Sequence, residues 1–119
     1  MDIKTLTRYS LSKKGSFEEY PFGPDVLVIK VASKIYALLT VRNNQQNISL
    51  KCDPFIAESL RQQYPSITPG YHLNKSHWNT IILDGSVSEA ELFKMIDHSY
   101  ELVFKGLKKS EKEAILQQL

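Results

Sequence analysis

A chain of 119 residues with 42% hydrophobic and 24% charged content is sized for one domain with its own core, which excludes a wholly disordered protein. Fifteen basic and thirteen acidic side chains leave a formal charge of +2, too mild to announce a polyanionic partner. The single cysteine excludes an internal disulfide framework, and the apolar runs are too short for a membrane span.

Met1-Asp2-Ile3-Lys4 opens without a charged-then-apolar leader, so the expected location is the cytoplasm. Asp2 offers an N-cap for a helix reaching about Ser12, with Ile3, Leu6 and Ser10 on one stripe and Gly15 as the stop. The two prolines and one glycine between Phe17 and Asp25 argue against regular structure there. Phe17, Tyr20 and Phe22 are expected to pin this loop to the core.

Residues 26–31 and 35–42 alternate as two strands. A three-residue loop, Ala32-Ser33-Lys34, sets Leu27, Ile29 and Val31 on one face with Ile35, Ala37, Leu39 and Val41. A two-residue loop would put Lys30 among those apolar side chains. The opposite face then carries Val28, Lys30, Tyr36, Leu38, Thr40 and Arg42, half open to solvent. After a turn at Asn43-Asn44-Gln45-Gln46, residues 47–52 form a third strand that points Ile48, Leu50 and Cys52 inward.

Asp53-Pro54 starts a second helix, with Ile56, Leu60 and Tyr64 as its buried stripe and Pro65 as its end. A strand near 71–73, a turn at Asn74-Lys75-Ser76 and a strand over 78–83 follow as a hairpin wing. Ser88 and Glu91 form a capping box, and Val87 and Leu92 sit at staple positions for a long helix. Leu92, Ile96, Tyr100, Val103 and Phe104 make its buried face, and Lys94, Asp97, His98, Glu101 and Lys105 its wet one. Gly106 ends it, and residues 108–119 read as a short, charged tail helix.

The order is α-β-β-β-α-β-β-α. Its short connections predict an α+β, two-layer sandwich with a mostly antiparallel sheet and helices on one face. The domain spans 1–107, and 108–119 is its C-terminal tail.

The chemistry is concentrated in Thr68-Pro69-Gly70-Tyr71-His72-Leu73-Asn74-Lys75-Ser76-His77-Trp78-Asn79-Thr80, which holds two of the three histidines and the only tryptophan. For nucleic acid, Lys30, Lys34, Arg42, Lys51 and Lys75 would serve phosphates. Tyr71, His77 and Trp78 would stack, Asn74 and Asn79 would read base edges, and His72 lies among them. The plainer reading packs Trp78 and Tyr71 under the hairpin and uses His72 and Asn79 to satisfy turn backbone. A metal on His72 and His77 needs a third ligand from Asp84, Cys52 or His98, and the spacing matches no known ligand pattern. Cys52 precedes a helix N-terminus, where a thiolate would be favoured, but its parity points it inward. No Gly-rich phosphate loop, paired-carboxylate motif or Ser-His-Asp order stands out. Neither an enzyme nor a cofactor is expected.

Several stretches together resemble the MmcQ/YjbR-like family of small bacterial proteins. They are Tyr20-Pro21-Phe22-Gly23-Pro24-Asp25, Ser49-Leu50-Lys51-Cys52-Asp53-Pro54, Tyr64-Pro65 and Thr68-Pro69-Gly70-Tyr71-His72. The match runs on through Asn74-Lys75, His77-Trp78-Asn79-Thr80 and Leu83-Asp84-Gly85 to Ile96-Asp97-His98-Ser99-Tyr100-Glu101-Leu102-Val103. The resemblance covers about residues 1–107 and implies an α-β(3)-α-β(2)-α fold with a "double-wing" DNA-binding role. The expected function is therefore a non-catalytic DNA-binding domain of modest affinity. The alternatives are a protein-interaction module, which predicts a homodimer or a partner on the open sheet face, and a small-molecule binder.

Overall fold

The computed structural model describes residues 2–71 and 73–118. Helix α1 (Ile3–Leu11) begins where the Asp2 carboxylate accepts the Thr5 N–H at 3.0 Å, and it buries Leu6 and Ser10. Strands β1 (Ser16–Glu19), β2 (Val26–Val31), β3 (Lys34–Arg42) and β4 (Gln45–Lys51) follow in chain order. Then come α2 (Pro54–Gln63), β5 (Ile67–Pro69), β6 (Trp78–Ile82), α3 (Glu89–Lys105) and α4 (Lys109–Leu116). The six strands form one antiparallel sheet in the order β1-β2-β3-β4-β6-β5.

One sheet face carries the core. Ile29, Ala37, Leu39, Ile48, Leu50 and Ile81 meet Leu6 of α1, Leu92, Ile96 and Val103 of α3, and Ile115 of α4. The α+β, two-layer architecture expected from the sequence is present, with β1 as an additional edge strand.

Several local expectations fail for identifiable reasons. Residues 16–19 are a strand despite the nearby prolines, because those prolines begin only at Pro21, beyond the last paired residue. The aromatics there are not pinned to the core: Phe17, Tyr20 and Phe22 are 39%, 53% and 65% exposed. The β2–β3 connection is a two-residue turn at Ala32-Ser33, with Ala32 at φ 52° and Val31 opposite Lys34. Leu27 and Ile29 nevertheless share a face with Ala37 and Leu39 as anticipated, Ile29 opposite Ala37 and Leu27 opposite Leu39. A bulge makes these compatible: Lys30 pairs with Ile35 and Ile29 with Ala37, so Tyr36 is the extra residue.

The bulge turns Tyr36 from the open face, where alternation puts it, into the helix-side core. Its hydroxyl donates to the Ser10 carbonyl at 2.8 Å and lies 2.7 Å from Ser16 Oγ. Ser99 of α3 stitches the distorted ladder, donating to the Tyr36 carbonyl at 2.5 Å and accepting the Lys51 N–H at 2.9 Å. Burial above all raises the Tyr36 phenol far beyond its ordinary range.

The β3–β4 turn is tighter than expected. Asn43 and Asn44 both have positive φ, 54° and 62°, as a type I′ hairpin requires, so β4 starts at Gln45 and ends at Lys51. Val41 is 58% exposed rather than covered, because it lies near the end of the ladder. On α2 the buried residue is Ala57, while Ile56 is 44% exposed.

Candidate functional site

The predicted wing exists, with its strands differently placed. Its first strand is β5 at Ile67–Pro69, where Pro69 pairs with Asn79, and among the described residues after it, 70, 71 and 73–77, there is no strand where one was expected near 71–73. The loop is drawn close to β6 at its root, where Gly70 N–H donates to the Trp78 carbonyl at 2.8 Å. A Cβ on Gly70 would stand 2.7 Å from Trp78 Cβ, so glycine is needed for this approach. Asn74 Oδ1 accepts the Ser76 N–H at 3.0 Å and closes an Asx turn at the tip.

A residue that sequence reasoning passed over holds this loop. Arg61 of α2 donates from Nε to Asn79 Oδ1 at 2.7 Å, and from its guanidinium to the carbonyls of Lys75 and Trp78. Asn79 Nδ2 in turn donates to the Ala57 carbonyl at 3.3 Å. Position eight of a predicted helix gave no hint of this role; only the docking of α2 over the β6 entrance reveals it. Asn79, 2% exposed, is thus a buried brace and not a reader of base edges.

The other predicted residues separate by position. Cross-strand partners share a face, so Lys51 and Trp78, directly opposite one another, stand side by side on the face away from the helices. Lys30 lies on that face at the same end of the sheet, 3.2 Å from Glu19 and over the Phe17 ring. Lys75 and His77 are exposed on the loop entering β6 at that end, and Lys75 Nζ donates to the Gly70 carbonyl at 2.9 Å. Lys34 does not join them. It pairs with core-facing Val31 next to the turn whose Ser33 N–H donates to Glu111 Oε2 of α4. Arg42 sits at the far end of β3, its guanidinium 3.6 Å above the Tyr71 ring. His72 lies outside the described residues.

Between these two ends the open face is hollow. Phe22 and Asp25 from the loop after β1, and Tyr71 and Leu73 from the loop before β6, wall a cleft of about 440 Å³. Leu38, Thr40, Ser49 and Thr80 line it from the sheet. Ser49 and Thr80 hydroxyls are 2.8 Å apart, and Thr80 Oγ1 accepts the Tyr71 N–H at 3.1 Å.

Cys52 and His98 are positioned by backbone. Cys52 is 6% exposed, and burial first, then the Asp53 charge, pushes its thiol up to about 11, so it is protonated at neutral pH. His98 is half-buried rather than solvated, its Nε2 accepting the Asp53 N–H at 3.2 Å. Among the described residues no three His, Cys, Asp or Glu side chains converge as a metal site, and no helix is long and apolar enough to cross a membrane.

The fold and the sequence as a whole have counterparts in known proteins. The chain is 32% identical over 117 residues to the uncharacterized protein YjbR of Escherichia coli K12, covering 98% of this chain and 99% of that one. It is 40% identical over 96 residues to the uncharacterized protein YbdF of Escherichia coli O157:H7, covering 81% and 79%. The crystal structure of Deinococcus radiodurans protein DR2400, of the DUF419 domain family, superposes with a TM-score of 0.87. That protein is 40% identical, with 98% of this chain and 88% of that chain covered. A Pseudomonas syringae protein gives a TM-score of 0.76 at 30% identity, covering 86% and 98%. The YjbR family profile matches residues 11–102, and with these relatives it establishes that the chain belongs to the YjbR family.

Proposed function

We propose that the protein is a non-catalytic, cytoplasmic DNA-binding domain that uses the Lys51–Trp78 end of its open sheet face. The observation that carries this reading is the cross-strand pairing of Lys51 with Trp78 beside a loop that exposes Lys75 and His77. A cation next to an indole supplies a phosphate contact and an apolar or stacking contact at neighbouring points, the combination that backbone tracking on nucleic acid needs. Lys30 adds positive charge on the same face, reduced by its pairing with Glu19. The exposed Phe17 and Tyr20 supply further ring surface. Few phosphates are engaged, so affinity is modest and electrostatic.

Fluorescence anisotropy with labelled duplex and single-stranded oligonucleotides tests the reading. With about three phosphate contacts on duplex DNA, the slope of log K against log salt is about −2.7, roughly a 40-fold loss between about 50 and 200 mM. Lys51→Ala and Lys75→Gln each weaken binding and flatten the slope by about one. Undetectable or salt-independent binding overturns the proposal.

A further inference from the structure

We propose that the cleft between the two loops is a binding site for a small amphipathic carboxylate, distinct from the surface assigned to DNA. Its walls are mainly apolar, from Phe22, Val26, Leu38 and Leu73, and its volume of about 440 Å³ suits a ligand with one or two rings or a short acyl body. Arg42 supplies the charge. Among the described residues its guanidinium pairs with no carboxylate and donates no hydrogen bond, although the residue is half-buried.

A guanidinium stacked at 3.6 Å on Tyr71 is held flat, with its in-plane N–H groups left to donate sideways. That is the geometry which takes a carboxylate through two parallel hydrogen bonds. Asp25, exposed, is the carboxylate among the described residues lining the cleft, and it forms no ion pair with Arg42, so the cationic charge is not cancelled.

A second polar group faces the same space. Ser49 and Thr80 share one hydrogen bond at 2.8 Å and together own two hydroxyl hydrogens, so that bond uses only one. Thr80 Oγ1 is already an acceptor for Tyr71 N–H, and both hydroxyls line the cleft. Among the described residues the second hydrogen has no acceptor, and a ligand oxygen supplies one. The cleft therefore combines apolar walls, one fixed cation and one hydroxyl donor.

The test is a titration of the isotope-labelled protein followed by amide chemical shifts, with naphthalene-2-carboxylate as probe and its carboxamide and 2-naphthylmethylamine as charge controls. The expected result is saturable shifts at Thr40, Ser49, Tyr71 and Thr80, with the carboxylate binding at least about fivefold more tightly than the carboxamide. Arg42→Gln brings the carboxylate to the level of the carboxamide and leaves the carboxamide unchanged. Leu38→Trp fills the cleft and ends binding of both, with the dispersion of its spectrum showing that it is folded. Equal affinity of the three probes overturns the proposal, as does preference for the amine, shifts elsewhere, or no saturation at the solubility limit. DNA binding by Arg42→Gln, measured in parallel, separates this site from the Lys51 surface.

Discussion

Arg61 Nε donates to Asn79 Oδ1 at 2.7 Å, joining the last turn of α2 to the second residue of β6. The same guanidinium reaches the carbonyls of Lys75 and Trp78, so one helix side chain holds the loop where it enters β6. Arg61→Ala leaves Asn79 buried with an unpaired oxygen and frees the Lys75 carbonyl, while the Trp78 carbonyl keeps only the Gly70 N–H. Urea unfolding should show a loss of about 2–3 kcal/mol, and amide exchange should rise across residues 70–77. DNA affinity falls with it if the loop is part of the interface. Unchanged exchange in the loop would contradict the brace.

Gly70 and Trp78 make the second constraint on that loop. The Cβ of a Gly70→Ala variant would lie 2.7 Å from Trp78 Cβ, with Leu73 Cβ and the Trp78 carbonyl both at 3.2 Å. The loop has to move away from β6, at a cost of about 1–3 kcal/mol. The measurement is thermal unfolding together with tryptophan fluorescence, which should shift as the indole is released.

Ser99 tests the bulge. Its hydroxyl serves the Tyr36 carbonyl and the Lys51 N–H together, where the distorted β3 leaves them without ladder partners. Ser99→Ala should cost about 2–3 kcal/mol, since two buried backbone groups lose their partner. Ser99→Thr should recover part of that loss, and equilibrium denaturation of both variants distinguishes the hydroxyl from simple packing.

The Cys52 thiol gives a pH dependence. Its value is raised from an ordinary 9.0 to about 11, chiefly by burial, so the folded state favours the protonated form. The stabilisation is complete below about pH 9 and is lost as pH rises through about 11, by an amount on the order of 2 kcal/mol. Cys52→Ala should flatten the fall in stability across that window. At about pH 8 the native thiol should react with a disulfide reagent far more slowly than after unfolding.

Asn44 at φ 62° follows Asn43 at φ 54° in the β3–β4 turn. Asn44→Gly gives the Asn-Gly pair that type I′ turns favour most and should stabilise by about 0.5 kcal/mol. Val41→Thr, at an exposed strand position, is a neutral control in the same denaturation series.

The sequence by itself determined the helix starts, the period of the core strands and the capping of α3, because each depends on residues within a few positions. Asp2 and Ser88 accept the N–H groups expected of caps, Asp53 accepts those of Phe55 and Ile56, and Val87 and Leu92 are both buried. The same local reading located the hairpin wing and the turn at Asn74-Lys75-Ser76. It placed β5 too late because Ile67–Pro69 is too short to show an alternation, and its pairing comes from β6. Alternation also could not see the bulge, which puts Tyr36 in the core only because Ser99, Ser10 and Ser16 are there to receive its polar groups. Tertiary structure alone decided which polar residues act as braces. Arg61, Asn79 and His98 look like surface or site residues in one dimension, and each is engaged because a distant backbone group or side chain has to be satisfied. It alone decided the cleft as well, since Phe22, Arg42, Ser49 and Tyr71 come together only when two loops fold over one sheet face.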